Sequence, residues 1–163
     1  MEMIEMIGLH LESELLLLQK LASEVTDGVI VNIGTFQGKS TIYLASQSDV
    51  RVYTIDPSEY ELFDGYVEQF ELQNKIEKII SPSQEVEWRE PIGLLFIDGC
   101  HRLESVAADY ELYAPFIVSG GLLIFHDTEE GCYTHVNEFL EDNDLLDFVL
   151  EIELENMKCF KRK

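Results

Sequence analysis

The sequence predicts an α/β fold: a doubly wound, mostly parallel sheet with helices on both faces and an antiparallel hairpin at its C-terminal end. Three observations carry this prediction. Short β-branched runs alternate with helix-length stretches along most of the 163 residues, as right-handed βαβ crossovers require. A glycine turn, Gly34 to Gly38, follows the first run and opens directly into a helix. The last two runs are separated by Glu153 to Asn156 alone, which is a hairpin connection.

The elements follow in order. Leu11, Leu15, Leu18, Leu21 and Ala22 recur at three- and four-residue steps between Leu9 and Val25, with Glu12, Glu14 and Lys20 between them, and predict an amphipathic lead-in helix. Asp27 and Gly28 mark a turn, after which Val29 to Ile33 has the composition of a strand buried on both faces. Ser40 to Gln47 follows as a helix, Arg51 to Ile55 as a strand, Tyr60 to Asn74 as a helix containing Gly65, and Ile76 to Ile80 as a more charged strand. Pro82 and Pro91 bracket a segment with room for only a short helix. Beyond it come a strand at Ile92 to Ile97, a helix at Glu104 to Ala114, a strand at Leu122 to Phe125 and a helix at His135 to Glu141. Phe148 to Ile152 and Met157 to Lys161 form the hairpin. The whole is expected to be one domain, 1–163, divided into a lead-in helix (1–27), a ligand-binding core (28–128) and a C-terminal helix and hairpin (129–163). In such sheets ligands lie beyond the carboxyl ends of the strands, so functional residues are expected just after each strand.

Charge and cysteine usage narrow the partners. Acidic residues outnumber basic ones 32 to 11, for a formal charge of −21. Such a surface repels phosphate backbones and anionic lipids, so neither nucleic acid nor a membrane surface is expected. The one basic cluster, Lys158, Lys161, Arg162 and Lys163, has the character of a solvated tail. Cys100, Cys132 and Cys159 form an odd, widely spaced set without a CxxC pair; this suggests neither a disulfide framework nor a zinc site and fits a cytoplasmic location. The opening MEMIEMIGLH has no basic region, and no apolar run approaches the ~20 residues of a membrane span.

The turn Gly34-Thr35-Phe36-Gln37-Gly38-Lys39-Ser40 brings backbone close to a ligand, and the helix behind it offers free N–H donors. A P-loop requires four residues between its glycines, and only three stand here. A dinucleotide fingerprint requires a glycine where Phe36 stands, whose bulk would obstruct a pyrophosphate. Asp56 ends the second strand 22 residues after Gly34, close to the ~20 expected of an acid that grips ribose hydroxyls. Taken alone, Asp56-Pro57 is also an ordinary turn start.

The segments VNIGTFQGKSTIYLA (31–45), VYTIDP (52–57) and LLFIDGCHRLESVAADYELYAPFIVSGGLLIFHDT (94–128) together resemble the class I S-adenosylmethionine (SAM)-dependent methyltransferases. The likeness is to the small-molecule branch with the pattern EIGTFxGxST, TIDP, IDGxHxYxxVxxD, PGGxxxFHD. The resemblance implies a Rossmann-like fold with 28–128 as the cofactor-binding core. It lays the methionine part of SAM over Gly34 and Gly38, with Asn32, Thr35, Phe36 and Ser40 around that turn, and gives the ribose to Asp56. Ser83 falls near the adenine, and Asp98 faces the cofactor or the substrate. Asn32 departs from the family, which has an acid there; an amide still hydrogen-bonds the charged end of SAM but brings no opposite charge to it. Leu103 replaces a usual Tyr and Ser119 the Pro of PGG.

Around the reacting centre three readings stay open. Asp98 and Asp127 end neighbouring strands, about 4.8 Å apart in a sheet; in metal-dependent O-methyltransferases, which the chain resembles, acids so placed hold magnesium, which would favour the ionised form of a substrate hydroxyl. Alternatively His101 or His126 is a general base. In the third reading the acids cap helices or balance the sulfonium, and the histidines orient loops. His10, His135, Cys100 and Cys132 are given no chemistry. Trp88, Phe36, Phe63, Tyr66 and Phe70 either floor an aromatic pocket or, as such residues more often do, fill the core.

The expected function is methyl transfer from SAM to a small molecule, at oxygen, with Mg2+ as a candidate additional cofactor and a homodimer as a permitted assembly. Asn32 and the short chain favour the alternative, a non-catalytic SAM-binding domain that acts as a partner protein. An NAD-linked oxidoreductase is a distant third.

Overall fold

The computed structural model describes residues 6, 10–128 and 135–163. Seven strands form one sheet: β1 (Val29–Ile33), β2 (Val52–Asp56), β3 (Ile76–Ile80), β4 (Ile92–Ile97), β5 (Ile117–His126), β6 (Phe148–Leu154) and β7 (Met157–Arg162). Their order is β3-β2-β1-β4-β5-β7-β6. The first five are parallel, and β7 runs antiparallel to both β5 and β6. Strand order therefore reverses between β1 and β4, and the crevice at that switch point is where a sheet of this kind takes ligands.

Helices cover both faces because β1, β2 and β4 are buried almost throughout. On one face lie α1 (Glu12–Ser23), α2 (Lys39–Ser46) and α3 (Glu61–Gln69), which pack Leu15, Leu18, Ala22, Ile42, Leu44 and Phe63 against Ile30, Leu94 and Phe96. On the other lie α4 (Leu103–Tyr113) and α5 (Val136–Asp142), whose Val106, Tyr113 and Phe139 meet Val31, Leu95 and Phe125. Trp88 belongs to this second core, edge-on to Tyr53 with ring centroids 5.0 Å apart.

The β1, β3 and β4 bounds coincide with the sequence reading; others differ for local reasons. Helix α3 stops at Gln69 rather than Asn74, because Phe70 closes it and Glu71 takes a left-handed φ of 57°. Strand β5 begins at Ile117 rather than Leu122. Its Ser119-Gly120-Gly121 stretch has the composition of a turn, yet the chain continues as strand through a register irregularity against β4. The hairpin connection is only Glu155-Asn156, with Glu155 at φ 48°. Among the described residues no helix is long and apolar enough to cross a membrane. Cys100 and Cys159 are free, and Cys132 lies outside the described residues.

Candidate active site

A cavity of about 450 Å³ opens at the carboxyl ends of β1, β2, β4 and β5, within the range of small-ligand sites. The glycine turn forms one wall. Gly34 has φ 97°, and a Cβ there would stand 2.2 Å from the Asp98 carbonyl oxygen; only glycine lets β1 leave the sheet this close to β4. Gly38 has φ 85°, and its missing Cβ makes room for the Phe63 ring.

Asp56 holds this turn from the next strand. Its Oδ2 accepts the Thr35 and Phe36 backbone N–H groups at 2.9 and 3.3 Å, and its Oδ1 accepts that of Ser58 at 2.9 Å. The carboxylate lines the cavity, and an ionised carboxylate has lone pairs beyond these three bonds. Phe36, 49% exposed, lies over the opening with Tyr60 edge-on at 5.6 Å.

Farther along, Ser83 and Gln84 reach the cavity beneath the end of β3. Ser83 Oγ and Gln84 Nε2 donate to Asp109 Oδ1 at 2.5 and 2.9 Å. Burial pushes the Asp109 carboxyl up to about 6, against the opposing effect of those two bonds.

The opposite wall is a charged cluster built from the ends of β4 and β5 and from the start of the chain. His126 is buried; its Nδ1 stands 3.2 Å from Asp98 Oδ1 and 3.3 Å from Asp127 Oδ1, and its Nε2 stands 3.2 Å from Glu14 Oε2. The two Nδ1 contacts are within ionic reach, but neither is aligned as a hydrogen bond. Burial alone would lower the basicity of His126; Asp127, Asp98 and Glu14 outweigh it and push the imidazole up to about 12. His101 Nε2 pairs with Asp127 Oδ2 at 2.9 Å, on the rim. Asp127 raises the His101 pKa, against burial. For Asp98 and Asp127, burial alone would raise the pKa, but their histidine partners hold both carboxyls below their ordinary value.

Most residues expected at the site meet there. Gly34, Thr35, Phe36, Ser40, Asp56, Ser83, Asp98, His101, His126 and Asp127 all line the cavity. Asn32 does not: it is fully buried behind the turn, where its Nδ2 lies 2.9 Å from Gly34 O, 2.9 Å from Thr41 Oγ1 and 3.2 Å from Thr54 Oγ1. Gly38 likewise packs on Phe63 instead of facing the cavity. His126, expected as a candidate base, lies among three carboxylates that hold its imidazole well above its ordinary pKa. His135 pairs with Glu138 on the surface.

Sequence reasoning missed His10, Glu14 and Asp109. His10 lines the cavity with its Nε2 3.0 Å from Asp98 Oδ2. Glu14 is 1% exposed, although glutamate is seldom buried without a partner. Its position four residues before Leu18 and seven before Leu21, on the apolar stripe of α1, was the available signal.

A sheet reversed at β1/β4, a close-approach glycine turn and an acid one strand away define a Rossmann-like, nucleoside-binding class of α/β protein. The sequence model of the methyltransferase domain family Methyltransf_24 matches residues 31–128. The chain belongs to that family, within the class I SAM-dependent methyltransferases. Solved structures share the fold at low identity. The O-methyltransferase TomG from Streptomyces achromogenes, in complex with SAM, is 17% identical with a TM-score of 0.73, over 94% of this chain and 81% of that one. Cofactor-bound Rv0187 from MTB is 17% identical with a TM-score of 0.73, over 97% and 83%. An rRNA methylase from Streptococcus thermophilus is 19% identical with a TM-score of 0.66, over 88% and 93%.

Proposed function

We propose that this chain transfers the methyl group of SAM to a hydroxyl oxygen of a small molecule. The observation that carries the reading is the Asp56 carboxylate, fixed by three backbone N–H groups at the lip of the cavity with acceptor capacity left for ribose hydroxyls. Gly34, Thr35, Phe36 and Ser40 cradle the methionine end, Ser83 and Asp109 stand at the adenine end, and Asp98 faces the sulfonium. SAM supplies an electrophilic methyl on a positively charged sulfur. His101 donates Nε2–H to Asp127, which leaves Nδ1 to take the proton of the substrate hydroxyl as oxygen attacks; Asp127 strengthens this base and fixes its tautomer. His126 acts as a fixed cation that keeps Asp98 and Asp127 ionised.

Magnesium does not suit the donor set. Asp98 is engaged by His10 and His126, and Asp127 by His101 and His126, whereas magnesium takes oxygen donors and retains several waters. No step runs through it. The net charge of −21 favours a small acceptor over RNA. One observation favours the non-catalytic alternative: Asn32 supplies neither an acid nor a cavity-facing group for the ammonium end of SAM.

Release of S-adenosylhomocysteine (SAH), measured against a panel of small hydroxylated acceptors, separates these readings. Turnover that falls ~100-fold or more in His101→Gln, with SAM binding retained, is the expected result. SAM binding without turnover on any acceptor would leave the partner-protein reading standing.

A further inference from the structure

Strand β6 ends the sheet: β7 pairs with one of its sides, and no strand among the described residues pairs with the other. One row of its backbone N–H and C=O groups therefore stands open as a template for another chain. Edge strands are ordinarily blunted by brevity, proline, charge or a covering element. β6 has seven residues and no proline. On it or just before it, Leu146, Val149 and Leu150 are 74%, 49% and 46% exposed, so apolar surface lies beside the open edge. Charge is the device that remains.

That charge has one sign. Asp144, Asp147, Glu151, Glu153 and Glu155 are exposed, and no Lys, Arg or His occurs between Val136 and Asn156. The β7 lysines answer two of these acids loosely, Lys158 Nζ at 3.5 Å from Glu153 Oε1 and Lys161 Nζ at 4.0 Å from Glu151 Oε1; ion pairs with exposed acids are worth little. The opposite edge differs. On β3, Glu77 pairs with Arg51 at 2.9 Å and Lys78 with Asp64, so both signs are present there and each is met within the fold. A one-signed edge repels a like strand and attracts an opposite one.

We propose that the open edge of β6 receives an extended basic segment of a partner protein, in which Lys or Arg alternates with apolar residues, as an additional strand. Main-chain hydrogen bonds to β6 supply affinity; the acids and the Leu146, Val149 and Leu150 side chains select the segment. A second copy of this chain does not fit. Its β6 would bring the same acids against themselves, and its basic residues Lys158, Lys161 and Arg162 lie on β7, which is already paired on both sides. None of the residues at this edge lines the cavity. The surface therefore stands whether the chain is a catalyst or a SAM-binding partner.

The test titrates the full chain with dye-labelled peptides as long as β6 and follows fluorescence anisotropy. One peptide alternates Lys and Val, a second has Glu in place of each Lys, and a third is the Lys-Val peptide N-methylated at every residue. N-methylation keeps the charges and side chains but removes the donors that strand pairing needs. Saturable binding of the Lys-Val peptide is expected, with none of the Glu-Val peptide and at least ~10-fold weaker binding of the N-methylated one. Amide hydrogen exchange should slow in β6 and stay unchanged in β3. The combined variant Val149→Lys and Leu150→Lys, checked for an unchanged melting transition, should bind the Lys-Val peptide at least ~10-fold more weakly. Equal binding of the N-methylated peptide would reduce the effect to bulk charge and overturn the proposal. No saturable binding, exchange protection outside β6, or an unaltered variant would overturn it as well. So would a dimer of the chain that the two lysine substitutions abolish, since the edge would then belong to a second copy.

Discussion

Glu14 Oε2 and His126 Nε2 meet 3.2 Å apart in a buried contact that joins α1 to the end of β5. Glu14 also accepts the Leu11 backbone N–H at 2.8 Å, from the N3 position of α1, and that of Asn156 at 3.2 Å in the β6–β7 connection. One carboxylate thus ties the start of α1, the hairpin and the histidine that separates Asp98 from Asp127.

Removing that histidine strands charge. In metal-free protein, His126→Leu leaves Glu14, Asp98 and Asp127 without their shared cation, and the loss of one partner of a buried pair costs about 3 to 5 kcal/mol. Chemical denaturation should show the midpoint shifted accordingly. A midpoint within ~0.5 kcal/mol of the parent contradicts the imidazolium assignment.

Gly34→Ala should damage both fold and site. The added Cβ meets the Asp98 carbonyl at 2.2 Å while the backbone holds φ 97°, so β1 and β4 must separate at their carboxyl ends. A lower melting temperature together with weakened SAH binding is expected. Wild-type values for both would show that the turn can relax without loss.

The acid beneath Ser83 has a pH signature. Burial raises the Asp109 carboxyl from its ordinary 3.8 to about 6. Between those values the folded chain holds a proton that the unfolded chain has released, so this contribution to stability is fully present below about pH 4 and is lost as pH rises through 6. Asp109→Asn, whose amide oxygen can still accept from Ser83 and Gln84, should gain roughly 1 to 3 kcal/mol relative to the parent between acidic and neutral pH. Denaturation midpoints of the two proteins across that window check it; parallel curves contradict it.

The order of strands and helices was legible because the strands are short apolar or β-branched runs separated by helix-length stretches. Ile76 to Ile80 and Ile92 to Ile97 are bounded by polar residues or proline, and their limits coincide with the observed strands. Asp56, Asp98, His126 and Asp127 were legible for a related reason, since each stands at the end of a strand where the sheet presents its ligand face. His10 and Glu14 were not, because their partners lie far away in sequence, 112 residues in the case of Glu14 and His126. Nothing local marks a residue whose role is set by docking α1 across the sheet. Asn32 shows the converse. Its place in the motif suggested contact with the cofactor, but Thr41 and Thr54 offer hydroxyls inside the fold, and the amide turns inward to them.

Calorimetric titration of the chain with SAH, beside Asp56→Ala, tests most directly the claim that this cavity holds SAM through the glycine turn and the acid of β2. A single saturable site in the parent, weakened at least tenfold in the variant with its fold intact, is the predicted result. No heat at millimolar SAH, or equal affinity in both proteins, would contradict it.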